Sequence, residues 1–408
     1  MNGAPKLVSL FTGAGGLDLG LEACGFETAL AVEMDPDACD TLRLNRTWPV
    51  IQADINSPQA SSKDILRQAG LKVGEAALLT GGPPCQPFSK SGYWAGGDSK
   101  RLNDPRASTL AAYLRVLRDI QPQAFVIENV PGIAFSAKSE GIEFLERSID
   151  SINKEIGTRY SFRPKLLNAA DYGVPQERQR VFIVGHRDGM QFKFPAKTHY
   201  APDEHSAVSQ DSHYFTAWDA IGDLESDDDE SLRLSGKWAD LLPSIPEGQN
   251  YLFHTMRGDG IALFGWRRRY WSFLLKLAKA LPSWTIAAQP GPAIGPFHWK
   301  NRRLSATELC RLQTFPEGYK IAGRRNSIQR QLGNAVPSAL AAQLGAAIRK
   351  QLLDGGECIS AAALFPKRRG APPPPEQPQS VPDKYLHLEG EHAAHPGTGK
   401  GYGALTRV

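Results

Sequence analysis

At 408 residues, with 41% hydrophobic and 22% charged side chains, the chain is long enough for two domains and has the composition of a soluble globular protein. It contains no run of about 18 apolar residues and no charged-then-apolar leader, so neither a membrane span nor a signal peptide is expected and the protein is placed in the cytoplasm. The net charge of +4 hides an asymmetry: Tyr251 to Lys350 carries 16 Lys and Arg against 3 Asp and Glu, a local +13 that leaves the remainder at −9 and points to a polyanionic partner such as nucleic acid.

The chain begins with an apolar run, Lys6 to Phe11, then Thr12-Gly13-Ala14-Gly15-Gly16 and an amphipathic stretch, Leu17 to Cys24, which reads as strand, glycine loop and helix. A second strand, Thr28 to Val32, closes on Glu33, and a third, Val50 to Ala53, closes on Asp54. An acid after the second strand suits a nucleoside cofactor, since a carboxylate accepts hydrogen bonds from both ribose hydroxyls. The glycine spacing departs from the G-x-G-x-x-G fingerprint and no phosphate-binding Lys-Ser or Lys-Thr follows, which disfavours NAD and ATP. A ribose without a phosphate, as in S-adenosylmethionine, fits better.

A further buried strand, Ala76 to Leu79, leads into Gly81-Gly82-Pro83-Pro84-Cys85-Gln86-Pro87-Phe88-Ser89, where glycines allow a sharp turn and prolines on both sides of Cys85 restrict it. Five cysteines, at 24, 39, 85, 310 and 358, are odd in number and lack paired metal-ligand spacing, so reduced thiols and no metal centre are expected. The polar stretch Lys90 to Arg106 reads as a mobile loop beside the thiol. Ser108 to Ile120 follows as a helix and Ala124 to Ile127 as a strand ending in Glu128-Asn129-Val130. If these strands alternate with helices in a parallel sheet, Gly13, Glu33, Asp54, Cys85 and Glu128 all emerge on its carboxyl edge, where such sheets bind ligands. Gln176-Glu177-Arg178-Gln179-Arg180 precedes the strand Val181 to Val184, and alternation puts Arg178 and Arg180 on one face.

From about Gly189 the α/β rhythm fades into a stretch with scattered aromatics and the cluster Trp266-Arg267-Arg268-Arg269-Tyr270-Trp271, suited to phosphate and base contacts. Ser305 and Glu308 form a capping box that opens a helix ahead of Pro316. Gln331 to Pro337 introduces a last helix through about Leu353, with Leu340, Leu344, Ile348 and Leu352 on one stripe. The expected organisation is a catalytic and cofactor-binding domain at 1–188, completed by a helix at 328–354, a smaller irregular domain at 189–327, and a disordered tail at 355–408.

The segments FTGAGG, GPPCQPFS, ENV, QERQR, RRLSATELCRLQTFPEGY and QLGNAVP occur in the order found in cytosine-C5 DNA methyltransferases, and the chain resembles that family over roughly residues 6 to 350. The resemblance implies a doubly wound, mostly parallel α/β sheet of the S-adenosylmethionine-dependent type, with residues 189–327 as a target-recognition domain. It implies a cofactor site lined by Phe11, Gly13, Gly15, Gly16, Glu33, Met34, Asp54, Ile55, Pro84 and Asn334. Cys85 is then the nucleophile, with Glu128, Arg178 and Arg180 around the cytosine. It further implies action on double-stranded DNA at the nucleoid; a monomer is the default expectation, and a companion restriction endonuclease is compatible with the chain. Two other readings stay open on the residues: a tRNA cytosine-C5 methyltransferase, which keeps the same cysteine and ENV chemistry, and a non-catalytic DNA-binding regulator.

Overall fold

The computed structural model describes residues 3–84, 107–135, 140–202, 212–224, 229–356, 358 and 361–395. Its centre is a seven-stranded sheet in the order β3-β2-β1-β4-β5-β8-β6. The strands are β1 (Lys6–Leu10), β2 (Glu27–Glu33), β3 (Val50–Gln52), β4 (Leu78–Gly81), β5 (Ala124–Asn129), β6 (Ser161–Asn168) and β8 (Gln179–His186). β1 to β5 pair in parallel, whereas β8 runs antiparallel to both its neighbours. A separate parallel pair joins β7 (Gln176–Glu177) to β9 (Ser283–Trp284). The inner strands are apolar almost throughout because helices cover both faces, the usual pattern of a parallel sheet.

Local chemistry sets the helix starts. α1 (Gly16–Ala23) follows the glycine loop directly. α2 (Pro36–Asn45) begins with proline in its first turn, and the Asp35 side chain accepts from the Ala38 amide. α3 (Ser62–Ala69) is capped by Ser61 and closed by Gly70 at φ 62°. α3, α4 (Ala107–Ile120) and α5 (Glu140–Ile156) share one core with one face of the sheet. On the other face, α1 packs against the last long helix, whose Leu340, Leu344, Ile348 and Leu352 form the expected stripe. That stripe belongs to α8 (Ser338–Leu352), while Gln331 to Asn334 belong to a preceding helix, α7 (Arg325–Asn334). The capping box at Ser305 and Glu308 opens α6 (Ala306–Leu312) as the pattern indicates.

Two further cores serve the irregular stretch. One joins Ala14 and Leu19 to Ala217, Ile221, Trp299, Leu309 and Phe315, and so ties α1 to residues from the irregular stretch onward. The other is an aromatic cluster of Tyr251, Phe264, Phe273, Phe297 and Tyr385 with Leu241, Leu242 and Leu274.

Tyr385 belongs to the segment expected to be disordered. The described part of that tail, 361–395, instead lies on the body: Leu364 enters the core beneath α8, Arg368 pairs with Asp219, and Arg369 pairs with Asp223. Further on, Lys279 Nζ donates to Pro374 O at 3.2 Å, and Tyr385 stacks on Trp238 and donates its hydroxyl to Lys237 O at 2.7 Å. A proline-rich stretch gives up little chain entropy on ordering, so a few anchors hold it; composition counts the polar majority and overlooks those anchors. The tail also brings Cys358 onto Cys24, and the two are joined as a disulfide, against the expectation of free thiols throughout. No helix among the described residues is long and apolar enough to cross a membrane.

If Tyr385 anchors the tail, Tyr385→Ala leaves a void beside Trp238 and should cost about 3 kcal/mol. Thermal and urea melts read this directly, and an unchanged midpoint would show that the tail is a passive covering.

Candidate active site

From β1 the chain moves to β2 and β3 on one side of the sheet, and from β4 to β5 on the other, so β1 and β4 flank the point where strand order reverses. Loops leaving two such strands diverge and open a crevice at their carboxyl ends. Here the crevice is a cavity of about 460 Å³.

The β1 loop forms one wall. Its tight path needs positive φ at Phe11 (54°), Gly13 (56°) and Gly15 (83°). Gly13 N donates to Glu33 Oε2 at 2.7 Å, while Glu33 Oε1 accepts from the amides of Met34 and Asp35, both at 2.8 Å. Glu33 therefore fixes the glycine loop and its own turn with the same carboxylate it would offer to a ribose. Gly16 has a different constraint: a Cβ there would sit 2.3 Å from Val336 O, so only glycine lets the returning chain close the floor. Tyr319 reinforces the loop by donating to Ala14 O at 2.8 Å.

Of the residues expected around a cofactor, Phe11, Gly13, Gly16, Glu33, Met34, Pro84 and Asn334 line this cavity. Gly15, Asp54 and Ile55 do not. Gly15 turns toward Leu42, Trp48 and Tyr319, Asp54 accepts from the Asn56 amide at 2.8 Å in its own turn, and Ile55 is buried in the α3 core. The wall also contains Ser9, Asp18, Asp35, Gln289, Arg330 and Gln331, none of which sequence reasoning selected. Asp35 and Arg330 pair at 2.5 Å, which fastens α2 to α7. Asp18 was legible in principle as an acid two residues past the last loop glycine, yet on an amphipathic helix it reads as a solvated first-turn carboxylate.

The opposite wall is made by β4, β5 and β8. Glu128 is buried and its Oε1 lies 3.0 Å from Arg180 Nε. Burial pushes the Glu128 carboxyl above its ordinary range, and the two nearby guanidiniums, Arg180 then Arg178, only partly offset this. Arg180 lines the cavity, but Arg178 does not. The expectation that both arginines point into one pocket is thus corrected. Arg178 falls between β7 and β8, where the ladder is interrupted, and its buried guanidinium donates to Gly333 O at 2.7 Å and Ile286 O at 3.4 Å. It clamps α7 and the end of the irregular stretch onto the sheet.

Asn129 supplies a positioning contact: its Nδ2 donates to Pro83 O at 3.1 Å, and its Oδ1 accepts from Val130 N at 2.9 Å. Thr109 Oγ1 donates to Pro84 O at 2.9 Å, so the chain is held on both sides immediately before Cys85. Gly82 leaves room for Glu128, whose Oε2 would lie 3.0 Å from a Cβ at that position. Cys85 itself and the expected mobile loop Lys90 to Arg106 lie outside the described residues. The other cysteines are unsuited to nucleophilic work. Burial pushes the Cys39 and Cys310 thiols up to about 12, and Cys24 and Cys358 are bonded to each other.

The basic stretch is less free than its count suggests, because acids from other segments meet it. Lys279 pairs with Glu247, Arg311 with Asp223, Arg330 with Asp35 and Arg349 with Asp354. Within the cluster that began as a candidate contact surface, the backbone is pinned. Asn250 Nδ2 donates to Trp271 O at 2.8 Å and Tyr251 donates to Arg269 O at 3.1 Å, while Tyr270 is 81% exposed.

The family model described as C-5 cytosine-specific DNA methylase matches residues 5–350. The chain is 38% identical over 395 residues to the Type II methyltransferase M.SacI of Streptomyces achromogenes, covering 91% of this chain and 98% of that protein. It is 43% identical over 226 residues to the Type II methyltransferase M.AquIA of Picosynechococcus, covering 54% of this chain and 88% of that one. Among solved structures, the Entamoeba histolytica methyltransferase EhMeth superposes with a TM-score of 0.57 at 18% identity, over 87% of this chain and all of that one. The S. pombe Dnmt2 methyltransferase does so with 0.55 at 17%, over 85% and 98%. At such identities these two speak for the fold alone.

The two arginines should separate experimentally. Arg178→Met strips two buried carbonyls of their donor and should lower stability by about 1–3 kcal/mol in a urea melt. Arg180→Met should change stability less and raise the Glu128 pKa further, read as a carboxyl band in difference infrared spectra. Equal loss of stability in both variants, with no shift of that band, would return them to a single role.

Proposed function

We propose that this chain, which belongs to the C-5 cytosine-specific DNA methylase family, methylates C5 of a cytosine turned out of duplex DNA, through a covalent bond between Cys85 and C6 of the ring. The observation that carries the reading is the meeting of two walls in one cavity: the glycine loop with Glu33 on one side, and the buried Glu128–Arg180 pair beside Pro84 on the other.

The donor side fits S-adenosylmethionine. Close backbone approach at Gly13 and Gly16 leaves room for the amino-acid end, Glu33 stands where ribose hydroxyls would be received, and Met34 and Asn334 complete the wall. When bound, this cofactor supplies an electrophilic sulfonium methyl.

Carbon 5 of cytosine is a weak nucleophile until electron density is driven onto it. The Cys85 thiolate does so by adding to C6 while Glu128, kept protonated more readily than an ordinary carboxyl, gives its proton to N3 and accepts from the exocyclic amine. The ring becomes enamine-like, the state in which C5 would take the methyl group as its bond to the donor sulfur breaks and S-adenosylhomocysteine leaves. Removal of the C5 proton by a base then expels the thiolate, and the N3 proton returns to Glu128. An ordinary cysteine is mostly protonated at neutral pH, so the permanent charge of Arg180 beside the site favours the thiolate. Asn129 contributes by position, because it holds Pro83 and hence the root of the cysteine loop.

Base flipping is required because C5 and C6 are inaccessible in stacked duplex. Residues 189–327 then serve as the target-recognition part, with the pinned cluster Arg267 to Trp271 able to present side chains to DNA without backbone ordering cost. Names of relatives such as M.SacI favour a protective role beside a restriction endonuclease.

Incubation of the protein with S-adenosylmethionine and duplex DNA should yield 5-methylcytosine at one short sequence, read by bisulfite sequencing. Cys85→Ala should retain cofactor binding and lose turnover completely; turnover at the wild-type rate would remove Cys85 from the mechanism. Glu128→Gln should fold, bind cofactor and lose about 10²- to 10⁴-fold in turnover. The raised pKa also fixes a sign. Stability drawn from protonated Glu128 is fully present below the ordinary glutamate pKa and is lost as pH rises through the folded value, so Glu128→Gln should gain on wild type across that interval.

A further inference from the structure

Beneath the glycine loop lies a polar group that the mechanism leaves unused. Asp18, in the first turn of α1, is fully buried, and neither carboxylate oxygen has a hydrogen-bond partner of ordinary geometry. The polar groups beside it are the Ser9 hydroxyl, which accepts from Thr12 Oγ1 at 3.0 Å and keeps its own proton for the carboxylate, and the Asp18 backbone amide; neither carries charge. Both Ser9 and Asp18 belong to the cavity wall, on the side of Gly13 and Gly16. A buried carboxylate with no cation beside it is costly in its charged form and stays protonated more readily, which leaves a group that incoming positive charge would ionise.

The cations of the protein itself do not answer. Asp18 takes part in no ion pair among the described residues, and its nearest ionisable neighbours, Glu22 and Tyr319, add none. Without a cation the carboxyl is pushed up to about 7 by burial, with Glu22 adding to the effect. The group is therefore poised to ionise when positive charge enters the cavity.

We infer that Asp18 receives the α-ammonium of the methyl donor's methionyl end, and so selects a zwitterionic amino-acid tail over a plain thioether nucleoside. The inference rests on the donor reading given above. The same end of the cavity offers the complementary charge preference, since the first turn of α1 presents backbone N–H groups suited to the tail's carboxylate. Glu33, by contrast, already accepts three amides and is placed for hydroxyls rather than for an ammonium.

The test is calorimetric binding of three ligands that share the adenosine thioether: S-adenosylhomocysteine, its analogue lacking only the amino group, and 5′-methylthioadenosine, which lacks the whole amino-acid end. Wild type should bind S-adenosylhomocysteine about tenfold to a hundredfold more tightly than the deamino analogue, the range of a charge-assisted hydrogen bond. Asp18→Asn should lose that preference while binding methylthioadenosine as wild type does. Equal wild-type affinity for the first two ligands would overturn the inference without any variant. A parallel loss of all three ligands in Asp18→Asn, or loss of none, would overturn it too, and leave Asp18 a buried neutral acid that shapes the loop. Failure of wild type to bind any of the three would instead sink the donor reading on which it rests.

Discussion

The cavity exists because two backbones touch. Gly16 and Gly20, one turn apart on α1, meet the carbonyls of Val336 and Ser338 so closely that a Cβ at either position would stand 2.3 or 2.2 Å away. This contact binds the beginning of the chain to its end and sets the distance between the glycine loop and Asn334. The surroundings are built to hold it. Arg178 seizes Gly333 O, Thr41 donates to Gln331 Oε1 at 2.7 Å, and Tyr319 reaches back to Ala14 O. Residues scattered over more than 300 positions become one wall through these few polar ties, which cost little once the apolar faces of α1 and α8 have come together.

Three carboxylates at the site differ in their surroundings, and the differences fit the separate roles proposed for them. Glu33 accepts three backbone amides and is part of the scaffold as well as of the wall, with acceptor capacity left on Oε2. Glu128 is buried against the Arg180 guanidinium, and burial holds its carboxyl above the ordinary range. Asp18 has no guanidinium or ammonium beside it among the described residues, only the Ser9 hydroxyl and its own backbone amide. In the proposed reading the same residue chemistry would serve loop geometry, proton transfer and charge reception, according to which donors the fold brings within reach.

Much of this was legible before any coordinates. Strand-ending acids and glycine-rich turns have a local signature, and in a parallel sheet the chain order of such turns fixes which edge they share; hence Gly13, Glu33 and Glu128 come together as expected. What local patterns miss is who stands behind each residue. Alternation along a strand assigned Arg178 and Arg180 to one face, but the break between β7 and β8 sends the first into the protein. Asp54 and Ile55 follow their strand as the resemblance requires, yet β3 is three residues long at the sheet's edge, and its turn folds back on itself. Residues 361–395 of the tail lie on the body because Leu364 and Tyr385 are two anchors among many polar residues, too few for composition to reveal. The charge count likewise could not know that acids at 35, 223, 247 and 354 fold back onto the basic segment.

The central claim is that this sheet edge joins a thiol addition to a methyl transfer. Duplex DNA in which every cytosine is replaced by 5-fluorocytosine tests it most directly, because fluorine cannot leave C5 as the proton does and the adduct should persist. After incubation with S-adenosylmethionine, intact-mass and peptide analysis should find the methylated fluorocytosine strand covalently attached at Cys85. Protein that binds both cofactor and this DNA yet carries no adduct would contradict the account.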